Sequence, residues 1–433
     1  MQRTVIKKSI VFLFLWLGLT LQAQAQGMLE VIVTEGVTGA IPVAVTPFVW
    51  QGEGSASVDV SGIIAANLGR SGLFQVLPAQ NLPAAPETPE DFLAERWAAV
   101  GAEYMIMGRL RPQADQVAIE FHVFDVLANQ ALGGFRIPVP ADVLRRGAHR
   151  ASDVIYERIT GEPGAFSARI AYVGVTRQGE ERRFTLEVAD SDGANPRVIF
   201  RSAQPLMSPA WAPNGRDLVY VSFENRRSEI FLHNVETGDR RRLAGFSGIN
   251  SAPAWSPDGQ RLAMSLSRDG TPNIYIMEVA TGALQQVTQS QSIDTEPVWA
   301  PDGQSLYFTS DRAGSPQVYQ VALPNGTPQR LTFEGRSAGA PTVSPDGRYL
   351  VYVRGGDGGL RLARIDLESR REMVLTQGRL DKSPSFAPNG SMIIFSTTDQ
   401  GRGVLGSVSR DGRVHQRFAA RVGEVREPAW SPL

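Results

Sequence analysis

Cysteine is absent from the 433 residues, which excludes disulfides and thiolate chemistry and leaves packing to supply the stability. Histidine is nearly as scarce. His122, His149, His233 and His415 are scattered, with no second histidine at ligand spacing, so each reads as an ordinary surface or packed residue and no metal is implied. No glycine-rich phosphate loop runs into Lys-Ser/Thr, and no nucleotide cofactor is expected. The nearest approach to a nucleophile elbow, Gly245-Phe246-Ser247-Gly248, lacks the glycine two residues after serine. Basic excess is missing too: the formal charge is −1, and moves to about −4 once Arg3, Lys7 and Lys8 are set aside. That balance gives no footing for nucleic acid or an anionic membrane. As an enzyme the chain is unarmed.

Long apolar runs are confined to one place. Met1–Ala25 has a basic start, the run Ile10–Leu21 and the small-x-small signature Ala23-Gln24-Ala25. It reads as a cleaved signal peptide, giving an exported chain that begins at Gln26 and has no transmembrane segment.

What is abundant is a repeat. Ala252-Pro253-Ala254-Trp255-Ser256-Pro257-Asp258-Gly259 recurs through the second half, its closing glycines being Gly215, Gly259, Gly303, Gly347 and Gly390. The steps are 44, 44, 44 and 43 residues, a period that belongs to a solenoid, propeller or array. Within each unit lie short runs of β-formers bounded by Gly, Asp and Pro turns, such as Arg261–Ser267, Asn273–Val279 and Leu284–Thr288. Counting the Pro-Ala-Trp run gives four strands per unit, a propeller blade. Six second-strand segments are visible, and the first lacks a preceding Pro-Ala-Trp. The chain ends on that motif, Pro428-Ala429-Trp430, with no blade behind it. The C-terminal strand is therefore expected to complete the first blade and close a six-bladed ring.

The repeated Asp258, Asp302 and Asp346 invite a catalytic or calcium reading, but Asn214 and Asn389 fill the same slot. Pro-Asp-Gly and Pro-Asn-Gly are turn sequences. The tryptophans read as blade packing, since Val343 and Phe386 replace them.

Residues 26–163 have no such repeat. Leu29–Thr34 and Ile41–Thr46 read as strands around a turn, Val58–Arg70 as a helix capped by Ser57 or Ser61, and Asp91–Val100 as a second helix. Tyr104–Leu110, Gln116–Asp125 and Gln130–Ile137 read as strands, and Pro140–Thr160 as a longer helix. The expected fold is thus mainly β: an N-terminal α/β domain over 26–163, then a six-bladed β-propeller over 164–433 closed by the C-terminal strand.

In such a ring the tight Pro-Asp-Gly turns share one face. The blade-to-blade connections, all different in sequence, share the other, and variable loops on a rigid scaffold are where recognition sits. Met207, Leu206 and Ile249 stand out there as apolar among polar neighbours.

Several stretches carry a resemblance. Gln204-Pro205-Leu206-Met207-Ser208-Pro209-Ala210-Trp211, Thr295-Glu296-Pro297, Ile41–Phe48, Gly147-Ala148-His149, Gly161–Phe166 and Arg169–Val173 together resemble the TolB family, periplasmic propellers of the Gram-negative Tol–Pal system. The resemblance spans essentially the whole chain after the leader. It implies a non-enzymatic, monomeric periplasmic adaptor that binds Pal, the peptidoglycan-associated lipoprotein, at the propeller mouth. By alignment Asn250, Thr295 and Glu296 would touch that lipoprotein, with Met207, and Ile249 stands where relatives carry histidine. It further implies that the N-terminal segment around Met28, Leu29, Glu30, Val31 and Ile32 engages TolA, in support of outer-membrane integrity and constriction at division. From another class, an exported propeller-containing hydrolase or its regulatory half would need a nucleophile and base that the sequence does not display. A sugar or peptide sensor using the central channel is a third reading.

Overall fold

The computed structural model describes residues 29–35, 39–420 and 422–433; residues 1–25, expected to be a signal peptide, and Met28 lie outside them. None of the helices among the described residues is long and apolar enough to cross a membrane.

Nothing in the first sheet is regular in length, yet its order follows from the apolar pattern. Strands β2 (Ile41–Val45), β3 (Val49–Trp50), β4 (Phe74–Val76), β5 (Tyr104–Gln113), β6 (Gln116–Asp125) and β7 (Gln130–Pro140) form a mixed sheet in the order β4-β2-β5-β6-β7, with β3 on β5. Helices α1 (Val60–Arg70) and α3 (Leu144–Thr160) cover one face. Alternate strand residues Val43, Ile106, Ile119, Phe121 and Val123 meet Ile64, Leu68, Ala148, Ala151 and Ile155 there, the last three repeating at helical spacing. The short helix α2 (Ala94–Ala98) covers the other face, burying Trp97 against Met105, Met107 and Phe124. The cap of α1 is neither Ser57 nor Ser61 but Asp59, whose carboxylate accepts from the Gly62 N–H at 2.9 Å. Ser61 instead donates its hydroxyl to that carboxylate at 2.8 Å.

From residue 169 onward the chain makes six four-stranded antiparallel sheets. In blade one the C-terminal strand Glu424–Trp430 pairs with Arg169–Gln178, Trp430 lying opposite Ile170, so the last strand closes the ring onto the first. Blades two to six begin with Leu206–Trp211, Asn250–Trp255, Asp294–Trp299, Ser337–Val343 and Lys382–Phe386. Each Pro-Asp-Gly or Pro-Asn-Gly is a tight turn. Gly215, Gly259, Gly303, Gly347 and Gly390 all stand at φ near +70°, and Asn214 and Asp302 accept from backbone N–H groups two residues on, both at 2.9 Å. The tryptophans knit neighbouring blades: Trp211 donates to the Ala429 carbonyl at 3.2 Å and Trp299 to that of Ala254 at 3.1 Å.

One strand departs from the expectation that residues 29–46 form two strands of the N-terminal domain. Strand β1 (Leu29–Glu35) leaves that domain and pairs antiparallel with His415–Ala420, the outer strand of blade six, with Leu29 opposite Ala420 and Val31 opposite Phe418. The physical reason is Leu29. It is 2 % exposed, packed with Phe418, Tyr172 and Ile170 at the seam between blades six and one.

Candidate functional site: the connection face and the N-terminal strand

Each inner strand of the ring carries the same irregularity. The residue before the proline (Ser208, Ala252, Glu296, Ala340, Ser383 or Glu427) takes a left-handed φ of 48–54°, and the pairing register slips there in all six blades. A bulge turns backbone groups out of the ladder, here into the central channel, a cavity of about 340 Å³ lined by these residues. Residues before proline ordinarily stay extended, so six such departures mark a demand of the ring rather than of local sequence.

Two of the six are glutamates, three blades apart and thus across the channel. Glu296 accepts from the Ala340 N–H and the Thr309 hydroxyl, both at 2.7 Å, tying blade four to blade five. Glu427 accepts from the Ser208 N–H at 2.5 Å, tying blade one to blade two. Burial pushes the Glu427 carboxyl above its ordinary value, and the charge of Glu296 adds to the rise.

Around the channel mouth run the connections. Five of them present an exposed apolar side chain, Ile249 (49 %), Ile293 (49 %), Phe333 (69 %), Leu380 (47 %) and Val422 (69 %), and the sixth leads into Met207 (38 %) at the start of the inner strand of blade two. These exposed apolar groups lie at or beside the connections that lead into the inner strands, whose glutamates make the channel acidic, and scattered apolar side chains among polar ones are a usual feature of a recognition surface. The sequence reading picked out Met207 and Ile249 from this set; it also picked out Leu206, which is instead fully buried, packed with Leu218 and Tyr220 in the propeller core. Ile293, Phe333, Leu380 and Val422 were not singled out, although Ile249, Ile293 and Leu380 each stand four residues before the proline of an inner strand, a periodic signal that was legible.

Of the residues assigned to lipoprotein contact, Glu296 is half-buried at the channel wall and Thr295 half-buried next to it, while Met207 and Ile249 are exposed. Asn250 is a correction. It is fully buried, its amide donating to the carbonyls of Ser228 (3.1 Å), Phe246 (2.9 Å) and Gly248 (3.3 Å) and accepting from the Phe246 N–H at 3.0 Å. Its side chain is spent on shaping the loop that holds Ile249 outward. Asp294 does the same in blade four through Arg312, at 2.9 Å to both carboxylate oxygens, and Asp381 in blade six through Thr376 and Thr397. Replacing Asn250 by Ala leaves several buried backbone groups unpaired. It is expected to cost about 1–3 kcal/mol of stability, read as a lowered denaturation midpoint with unchanged slope.

The residues assigned to the N-terminal contact sit on β1, apart from Met28. Leu29 is buried, Glu30 lies opposite Ala419, Val31 is half-buried and Ile32 is 43 % exposed. The far edge of β1 has no strand beside it among the described residues. Burying Leu29 contributes roughly 2 kcal/mol, and Ile32 and Val33 add little, so β1 is a weakly held element on a rigid sheet.

One cluster elsewhere has metal-ligand composition. His149, Asp190 and Asp192 bring their donor atoms within 4.8 Å of one another. Arg145 already donates to both carboxylates, so the arrangement is that of an ion-pair cluster between the domains.

Comparison with known proteins agrees with this architecture. Residues 156–433 match the family model of the TolB beta propeller domain, and residues 29–132 that of the TolB amino-terminal domain. The chain is 60 % identical over 429 residues to the Tol-Pal system protein TolB of Thioalkalivibrio sulfidiphilus, covering 98 % of each chain. It is 59 % identical over 404 residues to that of Methylococcus capsulatus, covering 93 % of this chain and 94 % of the other. The crystal structure of TolB from Acinetobacter baumannii superposes with a TM-score of 0.87 at 37 % identity, over 94 % of this chain and all of that one. With both domains matched in order and identity of this level over nearly its full length, the chain belongs to the TolB family.

Proposed function

We propose that this protein is a periplasmic adaptor of the Tol–Pal envelope complex, a binding protein rather than an enzyme. It takes a Pal-type lipoprotein on the connection face and TolA through the N-terminal segment, supporting outer-membrane integrity and constriction during division. The observation that carries the reading is a set of six exposed apolar side chains at or beside the blade connections, on a ring whose channel is lined by Glu296 and Glu427. Membership of a family whose relatives are named for the Tol-Pal system supplies the class of partner. The leader-like residues 1–25 and the lack of cysteine agree with export.

For the second partner the support is β1. A single edge strand, with an open ladder on one side and a partner strand on the other, is suited either to stay seated or to be handed to another protein by strand pairing. The lipoprotein then shifts the seated and released populations, which requires different affinities for the two states and works in both directions.

Calorimetric titration with the periplasmic domain of the cognate lipoprotein tests the first half. Saturable one-to-one binding is expected, weakened about tenfold by Glu296→Gln, as for removal of a single charged contact. Gln is cleaner than Ala because it keeps an acceptor for the Ala340 N–H. Absence of binding well above micromolar concentrations would overturn the reading.

A further inference from the structure

Two attachments that look unrelated in sequence meet on one turn of blade one, residues 190–194. From the N-terminal domain, Arg145 on α3 donates to Asp190 at 3.3 Å and also to Asp192, and Arg70 on α1 lies 3.5 Å from Asp192. His149, also on α3, sets its Nε2 3.9 Å from Asp190 and 3.8 Å from Asp192. From the N-terminal strand, the Leu29 N–H donates to the Gly193 carbonyl at 3.2 Å. Gly193 stands at φ +78°, and a Cβ there would fall 2.5 Å from the Leu29 Cβ, so the strand lies flat on the turn.

His149 is the unusual member. Its side chain is 2 % exposed. Its Nδ1 faces the Asn67 amide nitrogen at 3.0 Å, and that amide also donates to Ser152 at 2.7 Å and accepts from Arg70. These partners orient the amide with its N–H toward the imidazole, which puts the ring proton on Nε2. There it points at the two aspartates yet finds no hydrogen-bond partner among the described residues. A buried donor left short of its acceptors by under an ångström is a contact that a small shift of the turn completes or breaks.

We propose that the 190–194 turn, held by Arg145 and Arg70 and faced by His149, relays docking of the N-terminal domain to seating of β1, so that loosening either one releases the other. The groups facing His149 are Asp190 and Asp192 from the propeller, Arg145 from its own helix and Arg70 from α1. Burial holds the imidazole below its ordinary value, against the pull of the two aspartates. Docked His149 is therefore neutral, and its contribution is present above an ordinary histidine pKa of about 6.5 and lost as the pH falls below it. Against the cost of its own burial, Asp192 is held below the usual carboxylate range by the charges of Arg70, Arg145 and, once it is protonated, His149, so its own contribution persists until the pH falls below about 4 and the window near pH 6 belongs to His149. Acid frees β1. A dication on the same oxygens would have to displace Arg145 and take the proton from Nε2.

The proposal deepens the switch described under Proposed function and rests on that reading only for the use made of the released strand. Hydrogen exchange needs no partner, so failure here and failure there are separable. In the full mature chain, amide exchange over 29–35 is followed at about pH 7.5 and about pH 5.5, corrected for intrinsic rates. Wild-type protection of β1 is expected to fall about tenfold at the lower pH, with blades three and four unchanged. His149→Ala removes that protection at both pH values. His149→Gln, which keeps a donor and an acceptor but does not titrate, retains the protection and flattens its pH dependence. Unchanged β1 protection in His149→Ala, or a wild-type pH profile in His149→Gln, overturns the proposal. So does protection raised by added zinc in the wild type alone, which reassigns the cluster to a metal. Should His149→Ala fail to fold, Leu29→Asp probes the link from the other end and is expected to speed exchange in α3. No change in α3 would overturn the relay.

Discussion

Ending the chain at Gly423 is expected to abolish cooperative unfolding of the propeller. The ten residues removed hold the innermost strand of blade one and the strand pairing that closes the ring. Val425 and Ala429 leave buried positions, and the Ala429 carbonyl no longer receives the Trp211 indole. The Ser431 hydroxyl bonded by the Arg169 N–H at 2.8 Å is lost, and so is the Trp430 N–H bond to Ser385 at 3.0 Å. What remains is a ring with a gap, an open strand edge at Arg169–Gln178 and a half-exposed core cluster. A whole domain is stable by only about 5–15 kcal/mol, so losing one buried strand of this kind consumes most or all of it. Calorimetry should show a broad transition or none, and a sharp transition within about 5 °C of the intact chain would contradict the closure argument.

The second large effect is confined to binding. Ile293→Asp with Leu380→Asp is expected to weaken lipoprotein binding at least about a hundredfold while leaving the unfolding midpoint unchanged. Both side chains are about half exposed, at 49 % and 47 %, so the folded state loses little when they become charged. A docked partner would instead have to bury two carboxylates, which costs far more than the lost apolar area. The pair also separates two explanations that Asn250→Ala confounds, since that substitution disturbs the loop and the stability together. Unaltered affinity in the double variant would move the interface off the connection face.

Much of this architecture was legible beforehand because a propeller states its rule repeatedly. Four short strands and a Pro-Asp-Gly turn every 43 or 44 residues leave few alternatives, and an orphan Pro-Ala-Trp at the end implies closure. The turn reading of Asp258, Asp302 and Asp346 held for the same reason: local hydrogen bonds decide a turn, and local residues supply them.

Less legible was anything decided by a distant partner. Leu29–Glu35 has the composition of a strand whichever sheet it joins. It lies on blade six because Leu29 finds a pocket among Phe418, Tyr172 and Ile170, nearly 400 residues away at the farthest. Asn250 looks like a surface contact in a loop, and only the approach of Ser228 and Phe246 buries it. The left-handed residues before the six prolines are Ser, Ala, Glu, Ala, Ser and Glu, with nothing in common to announce them. Secondary structure, blade count and turns follow from periodicity and short-range bonding, and so were set in the order of the residues themselves. The seat of β1 and the inward turn of the channel residues arise where strands remote in sequence converge as the ring closes, and the meeting of His149 with Asp190 and Asp192 arises where helix α3 of the first domain docks on blade one.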